Sequence, residues 1–190
     1  MKDIPILDMI VPLSSYATVS QEEPLSAAIL ALEAAQAGFD QSRYRHRAIL
    51  VFDENKQVVG KLSQMDIIKA LEPDFAEKME SISLDRFGIS VDFLSSTLDQ
   101  YEFWNRPLKV ACREACSRPV KEFMYTPAKQ EFIRETASLQ EAIHRLVIGQ
   151  HHSLLVTRDE EIVGVLRLTD VFTKITEVMK EMFEREESPE

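Results

Sequence analysis

Apolar positions along this chain recur with two periods, and the same succession of periods occurs twice. Leu25, Ala28, Ile29 and Leu32 fall at the spacing of one helix face, and Leu139, Ala142, Ile143, Leu146 and Val147 repeat that spacing in the second half. Each helical stretch follows a short extended piece, Ala17-Thr18-Val19 or Glu131-Phe132-Ile133. Each precedes a compact strand-like run, Ala48-Ile49-Leu50-Val51-Phe52 or Ser153-Leu154-Leu155-Val156-Thr157. A polar turn then predicts a hairpin, through Asp53-Glu54-Asn55-Lys56 in the first half and Arg158-Asp159-Glu160-Glu161 in the second. Ser138-x-x-Glu141 reads as a capping box for the second helix, and Ser20-x-x-Glu23 followed by Pro24 predicts the start of the first.

The return strands carry the clearest self-similarity. Val58-Val59-Gly60-Lys61-Leu62-Ser63-Gln64-Met65-Asp66-Ile67-Ile68 recurs as Ile162-Val163-Gly164-Val165-Leu166-Arg167-Leu168-Thr169-Asp170-Val171-Phe172, an offset of 164 − 60 = 104 residues. The predicted unit is β-α-β-β-α, present in tandem, an α/β chain with α+β character. A three-stranded sheet with helices on one face is too small to stand alone, so the two sheets are expected to pack on each other with pseudo-twofold symmetry. Leu25 to Gly60 spans 60 − 25 = 35 positions, against 164 − 139 = 25 from Leu139 to Gly164. Two to three extra helical turns through Ala34 to Arg43 would absorb the difference, at about 3.6 residues per turn. Between the copies, Ile89, Val91, Phe93, Leu94, Leu98, Tyr101 and Trp104 predict a helical insertion rather than a flexible linker. The expected boundaries are a first unit over 1–72, an insertion over 73–119, and a second unit with an acidic tail over 120–190.

Gly60-Lys61-Leu62-Ser63-Gln64-Met65-Asp66 and its second copy resemble the strand-to-helix motif of CBS-domain pairs, or Bateman modules, and a stand-alone pair is expected. The resemblance covers both repeats and leaves out the 73–119 insertion and the acidic tail. It implies a disc with two clefts that receive adenosine derivatives. Asp66 and Asp170 would accept from the ribose hydroxyls, a charge-assisted arrangement. The Ser63 hydroxyl would bond the ribose or the α-phosphate beside the N–H groups at the helix start, and Thr169, beside Asp170, is a further candidate ligand contact in the second copy. That copy departs from the pattern, because Arg167 stands where the hydroxyl is expected: it either pairs with Asp170 and blocks ribose or reaches the phosphates of a longer nucleotide. His46-Arg47 resembles the phosphate-binding lead-in of the regulatory subunit of AMP-activated protein kinase, and His151-His152 holds the equivalent place. Adjacent strand residues face opposite ways, so at most one of each pair points into a cleft. The plainer alternatives are helix caps for the two aspartates and Ser63, and solvated surface for the histidines and Arg47.

Charge narrows the field further. The formal net charge of -10 disfavours nucleic acid and anionic membranes as partners. No apolar run approaches the roughly 20 residues that span a bilayer, and the expected compartment is the cytoplasm. Cys112 and Cys116, spaced i, i+4, read as reduced thiols. No metal-ligand spacing, nucleophile-base pattern or Gly-rich phosphate loop is evident, so no metal and no catalytic residue are assigned. The expected function is a regulatory module that binds AMP, ADP or ATP as a regulatory ligand, associates as a homodimer, and passes a conformational change to a protein effector. Two alternatives are an interaction scaffold with degenerate clefts and a binder of another adenosyl ligand such as S-adenosyl-methionine.

Overall fold

A computed structural model describes residues 4–37, 48–71 and 107–186. In chain order the elements are β1 (Val11–Pro12), β2 (Thr18–Ser20), α1 (Leu25–Ala37), β3 (Ala48–Phe52), β4 (Val58–Ser63), α2 (Gln64–Lys69), α3 (Leu108–Ser117), β5 (Phe132–Arg134), α4 (Leu139–Ile148), β6 (Ser153–Arg158), β7 (Glu161–Arg167) and α5 (Leu168–Glu186). The predicted unit thus appears as β2-α1-β3-β4-α2 and as β5-α4-β6-β7-α5. In each, the first strand runs parallel to the second, and the second pairs antiparallel with the third.

The two halves exchange their leading segments. β1 pairs with β7 through Val11 and Val165, so the second sheet has four strands in the order β1-β7-β6-β5, against three in β2-β3-β4. The reciprocal contact places Tyr125 beside Lys61 of β4. Further bonds obey the same exchange: the Leu25 N–H donates to the Arg118 carbonyl at 2.9 Å and the Leu139 N–H to that of Ile4 at 2.7 Å. The mates are offset by 139 − 25 = 114 and 118 − 4 = 114, whereas the hairpins are offset by 165 − 61 = 104. The difference of ten residues reflects the longer first helix and the connection after it. α1 has 13 residues and α4 has 10, so the described part of α1 supplies almost one extra turn; the rest of the expected lengthening lies outside the described residues.

This exchange explains why Ser20 does not open the first helix. Ser20 closes β2, its hydroxyl accepts from the Glu22 N–H at 3.4 Å, and α1 begins only at Leu25. The backbone of the exchanged segment satisfies the Leu25 N–H, an orphan donor at the helix start. Ser138 does cap α4, accepting from the Glu141 N–H at 3.3 Å.

Strand alternation sorts the side chains into three apolar clusters. Ile49, Val51 and Leu62 face the helices of the first unit together with Val120, while Leu154, Val156 and Leu166 face those of the second with Ile6. Val120 and Ile6 are themselves mates of the exchange, since 120 − 6 = 114. Val11, Tyr16, Leu50, Leu155 and Val165 form the third cluster, the apolar seam where the sheets meet. Lys61 is the register partner of Leu50 and shares its seam-facing side; Ser153 and Arg167, register partners of each other, share the side of Leu155 and Val165.

The C-terminal part of the expected insertion forms α3, which carries Cys112 and Cys116 as free thiols and packs Ala115 into the first core. The expected helices around Ile89 to Trp104 lie outside the described residues.

Candidate functional site: two unequal strand-to-helix junctions

Ser63 ends β4 on the seam side and serves as N-cap of α2. The Asp66 N–H donates to Ser63 Oγ at 3.3 Å, and Asp66 Oδ2 accepts from the Ser63 N–H at 2.8 Å and from the Ser63 hydroxyl at 2.6 Å. This is a reciprocal capping box. All of the carboxylate's bonds fall on Oδ2, which leaves Oδ1 without a partner among the described residues. The residue is half-buried.

The second junction has the same backbone path and different chemistry. Arg167 ends β7 and Asp170 lies in the first turn of α5. Arg167 Nε donates to Asp170 Oδ2 at 2.5 Å and Nη2 to Oδ1 at 2.6 Å, so the guanidinium holds both oxygens. The Arg167 side chain is 6% exposed and that of Asp170 19%. Tyr16, brought from the first half by the strand exchange, is buried close to this pair. Burial pushes its phenol up to about 12, the Arg167 cation opposing the rise and the Asp170 carboxylate adding to it.

A third polar group joins the halves. The Lys61 ammonium forms an ion pair with Glu131 and reaches Ser153 Oγ at 3.5 Å. Glu131 also accepts from the Tyr125 hydroxyl at 2.5 Å and from the Ala128 N–H at 3.0 Å. Burial alone would raise the Glu131 pKa, but these hydrogen bonds and the Lys61 charge hold it below the usual glutamate range. Glu131 and Arg167 are the two buried polar or charged residues among those described. Sequence reasoning did not single out Lys61, Glu131, Tyr125 or Tyr16. The available signal was a lysine at a seam-facing strand position whose repeat mate is Val165.

Of the other expected site residues, Thr169 lies in the first turn of α5, where its carbonyl accepts from the Thr173 hydroxyl at 3.0 Å. His151 turns back over Gly149, so closely that a Cβ there would lie 2.0 Å from Nε2, and that nitrogen is buried without a partner among the described residues. His152 is exposed, and its carbonyl accepts from the Leu168 N–H at 3.0 Å. His46 and Arg47 lie outside the described residues.

A family model described as CBS domain matches residues 3–73 and 120–182, the two halves of the repeat. The chain belongs to the CBS-domain family. Among solved structures, this CBS chain is similar to a CBS domain-containing protein of unknown function from Bacillus anthracis, with 14% identity, a TM-score of 0.60, and coverage of 92% of this chain and 94% of that one. It is also similar to CBSX2 in complex with AMP, with 14% identity, a TM-score of 0.57, and 93% and 98% coverage. The CBS domain of a bacterial CNNM/CorC family Mg2+ transporter in complex with ATP matches with 16% identity, a TM-score of 0.57, and 91% and 87% coverage. At such identities the likeness concerns the fold. Among curated protein sequences, none matches this CBS chain. Among the described residues, no helix is long and apolar enough to cross a membrane.

Proposed function

We propose that this CBS pair is a cytoplasmic regulatory module that binds an adenine nucleotide, AMP, ADP or ATP, at the first cleft and performs no chemistry on it. The observation that carries the reading is the Ser63–Asp66 junction: a half-buried carboxylate fixed at a helix start by its capping box, with Oδ1 without a partner among the described residues. A ribose diol supplies the donors that oxygen lacks, and the first-turn N–H groups of α2 favour a nearby anion. Nucleotide complexes of two similarly folded proteins, one with AMP and one with ATP, support the same assignment. His46 and Arg47 are the proposed phosphate contacts, with His151 or His152 in the equivalent place of the second copy. Binding between the halves would favour one relative arrangement, by as much as the ligand's affinity differs between the two states.

The output is read by a protein effector or through self-association of the module. α5 favours a protein partner, because Phe172, Met179, Met182 and Phe183 are all more than half exposed along it.

Thermal unfolding with AMP, ADP, ATP, S-adenosyl-methionine or buffer at matched ionic strength tests the reading. A ligand at 100 times its Kd adds about 2.7 kcal/mol and raises Tm by several degrees. A shift with at least one phosphate-bearing nucleotide is the expected result. A shift with S-adenosyl-methionine alone would transfer the assignment to an adenosyl ligand without phosphates, and no shift with any compound would refute the sensor reading.

A further inference from the structure

Asp66 and Asp170 are mates of the repeat, 170 − 66 = 104, yet their carboxylates are in different states of use. Asp66 spends Oδ2 on its own capping box, and its Oδ1 has no partner among the described residues. Asp170 has both oxygens taken by one planar fork of donors. A ribose diol likewise offers two adjacent donors to one carboxylate, so the guanidinium makes the contact that the nucleoside would make. We propose that Arg167 is a built-in occupant of the second cleft, which closes Asp170 to ribose and limits each chain to one adenine nucleotide, bound at Asp66. The inference rests on the nucleotide reading of the first cleft and adds the stoichiometry and the residue that sets it.

Three observations favour the internal partner over an incoming nucleotide. The competing donors are unequal, since the guanidinium brings a full positive charge and a rigid planar fork to the carboxylate, whereas the ribose hydroxyls are neutral donors. Displacing Arg167 would also leave a buried guanidinium to be solvated or re-paired, and its side chain is 6% exposed with Tyr16 packed nearby. Finally, the inequality is written in the sequence at one position of the motif: Ser63 in the first copy, Arg167 in the second. The rest of the junction is shared, including the seam-facing strand end and the aspartate three residues later.

Titration calorimetry of the full chain with AMP, ADP and ATP tests this. The natural protein should saturate at one nucleotide per chain. Arg167→Ser, which installs the hydroxyl of the first copy, should saturate at two, and Arg167→Ser with Asp170→Ala should return to one. In the otherwise natural chain, Asp66→Ala should reduce saturable binding at least tenfold in affinity, with no second class of site left behind. That measurement tests the stoichiometry even if Arg167→Ser does not fold, and Arg167→Lys, which keeps the charge and removes the bidentate fork, then tests the occupant: it should open a second site. Two sites in the natural protein, one site in both the natural protein and a folded Arg167→Ser variant, or tight residual binding by Asp66→Ala would each overturn the proposal. If the natural chain binds nothing while Arg167→Ser binds one nucleotide, the first-cleft reading fails and the role of Arg167 stands. Absence of binding by both refutes the two together.

Discussion

Lys61 and Glu131 meet across the join between the two halves, where the repeat offsets place Val165 and Ala17 at the corresponding points, 61 + 104 = 165 and 131 − 114 = 17. One side of the seam is therefore closed by a buried ion pair with Tyr125 as a third member, and the other by apolar contacts among Val11, Tyr16 and Val165. A buried pair contributes little net stability over an apolar pair of similar volume, but loss of one partner strands the other. Lys61→Met keeps the apolar stem and removes the ammonium. It should destabilise the protein by about 3 kcal/mol, the low end for a broken buried pair, because Tyr125 and the Ala128 N–H still hold the carboxylate. For a chain of this size that corresponds to a fall in Tm of roughly 6–12 °C. The double variant Lys61→Met/Glu131→Leu should melt above Lys61→Met; additive losses in the double-mutant cycle would disprove the coupling.

The same pair sets an acid limit on stability. Glu131 is held below the usual glutamate range in the folded state, so the unfolded chain takes up its proton first as pH falls. The stabilisation is therefore present above the ordinary carboxyl value of 4.5 and is lost as pH drops through the depressed folded value. Urea midpoints measured near pH 6 and again near pH 3.5 should fall less for Glu131→Gln than for the natural protein. Glu135 is also lowered, by its hydrogen bond from Arg158, but both proteins carry that background equally. Parallel midpoints for the two proteins would mean that Glu131 is not the acid-sensitive group.

The tandem β-α-β-β-α unit and the hairpin in each copy were legible because they follow from local periodicity and a repeated eleven-residue string. The strand exchange was not, since the segments around Ile4 to Val11 and Arg118 to Tyr125 have no periodicity of their own and are held by backbone bonds from the opposite half. Ser20 was misread for that reason: the Arg118 carbonyl does at Leu25 what a side-chain cap would have done. At the site, the sequence exposed the Arg167 substitution and left two outcomes open, and the geometry selects the pair with Asp170. Lys61 and Glu131 were hidden because 131 − 61 = 70 residues separate partners that only the packing of the two sheets brings together.

Asp66 has a structural and a proposed binding role, and the two separate in magnitude. Asp66→Ala removes half of the capping box and should cost about 1 kcal/mol of stability, the usual value for a lost helix cap. The same change removes a charge-assisted contact to ribose of about 1.5–3 kcal/mol, which weakens nucleotide binding roughly ten- to a hundredfold. Denaturant midpoints and calorimetric affinities of the folded variant check the two parts independently. A stability loss with unchanged affinity would leave Asp66 as a cap only.

The motif glycines should also be unequal, because the exchanged segments approach them differently. A Cβ on Gly60 would lie 2.6 Å from Met124 Sδ, and the flexible thioether of methionine can move aside. On Gly164 it would lie 2.5 Å from the Val11 carbonyl oxygen and 2.5 Å from Ile10 Cγ2, and that carbonyl belongs to β1, which is paired with β7. Backbone in a ladder yields only by lengthening its hydrogen bonds, so overpacking there should cost about 1–3 kcal/mol. Gly164→Ala should accordingly lower the denaturation midpoint well below that of Gly60→Ala and make amide exchange of the β7 residues around Val165 faster, as β1 lifts from the sheet edge. Equal midpoints for the two variants would show that the first half is no more accommodating than the second.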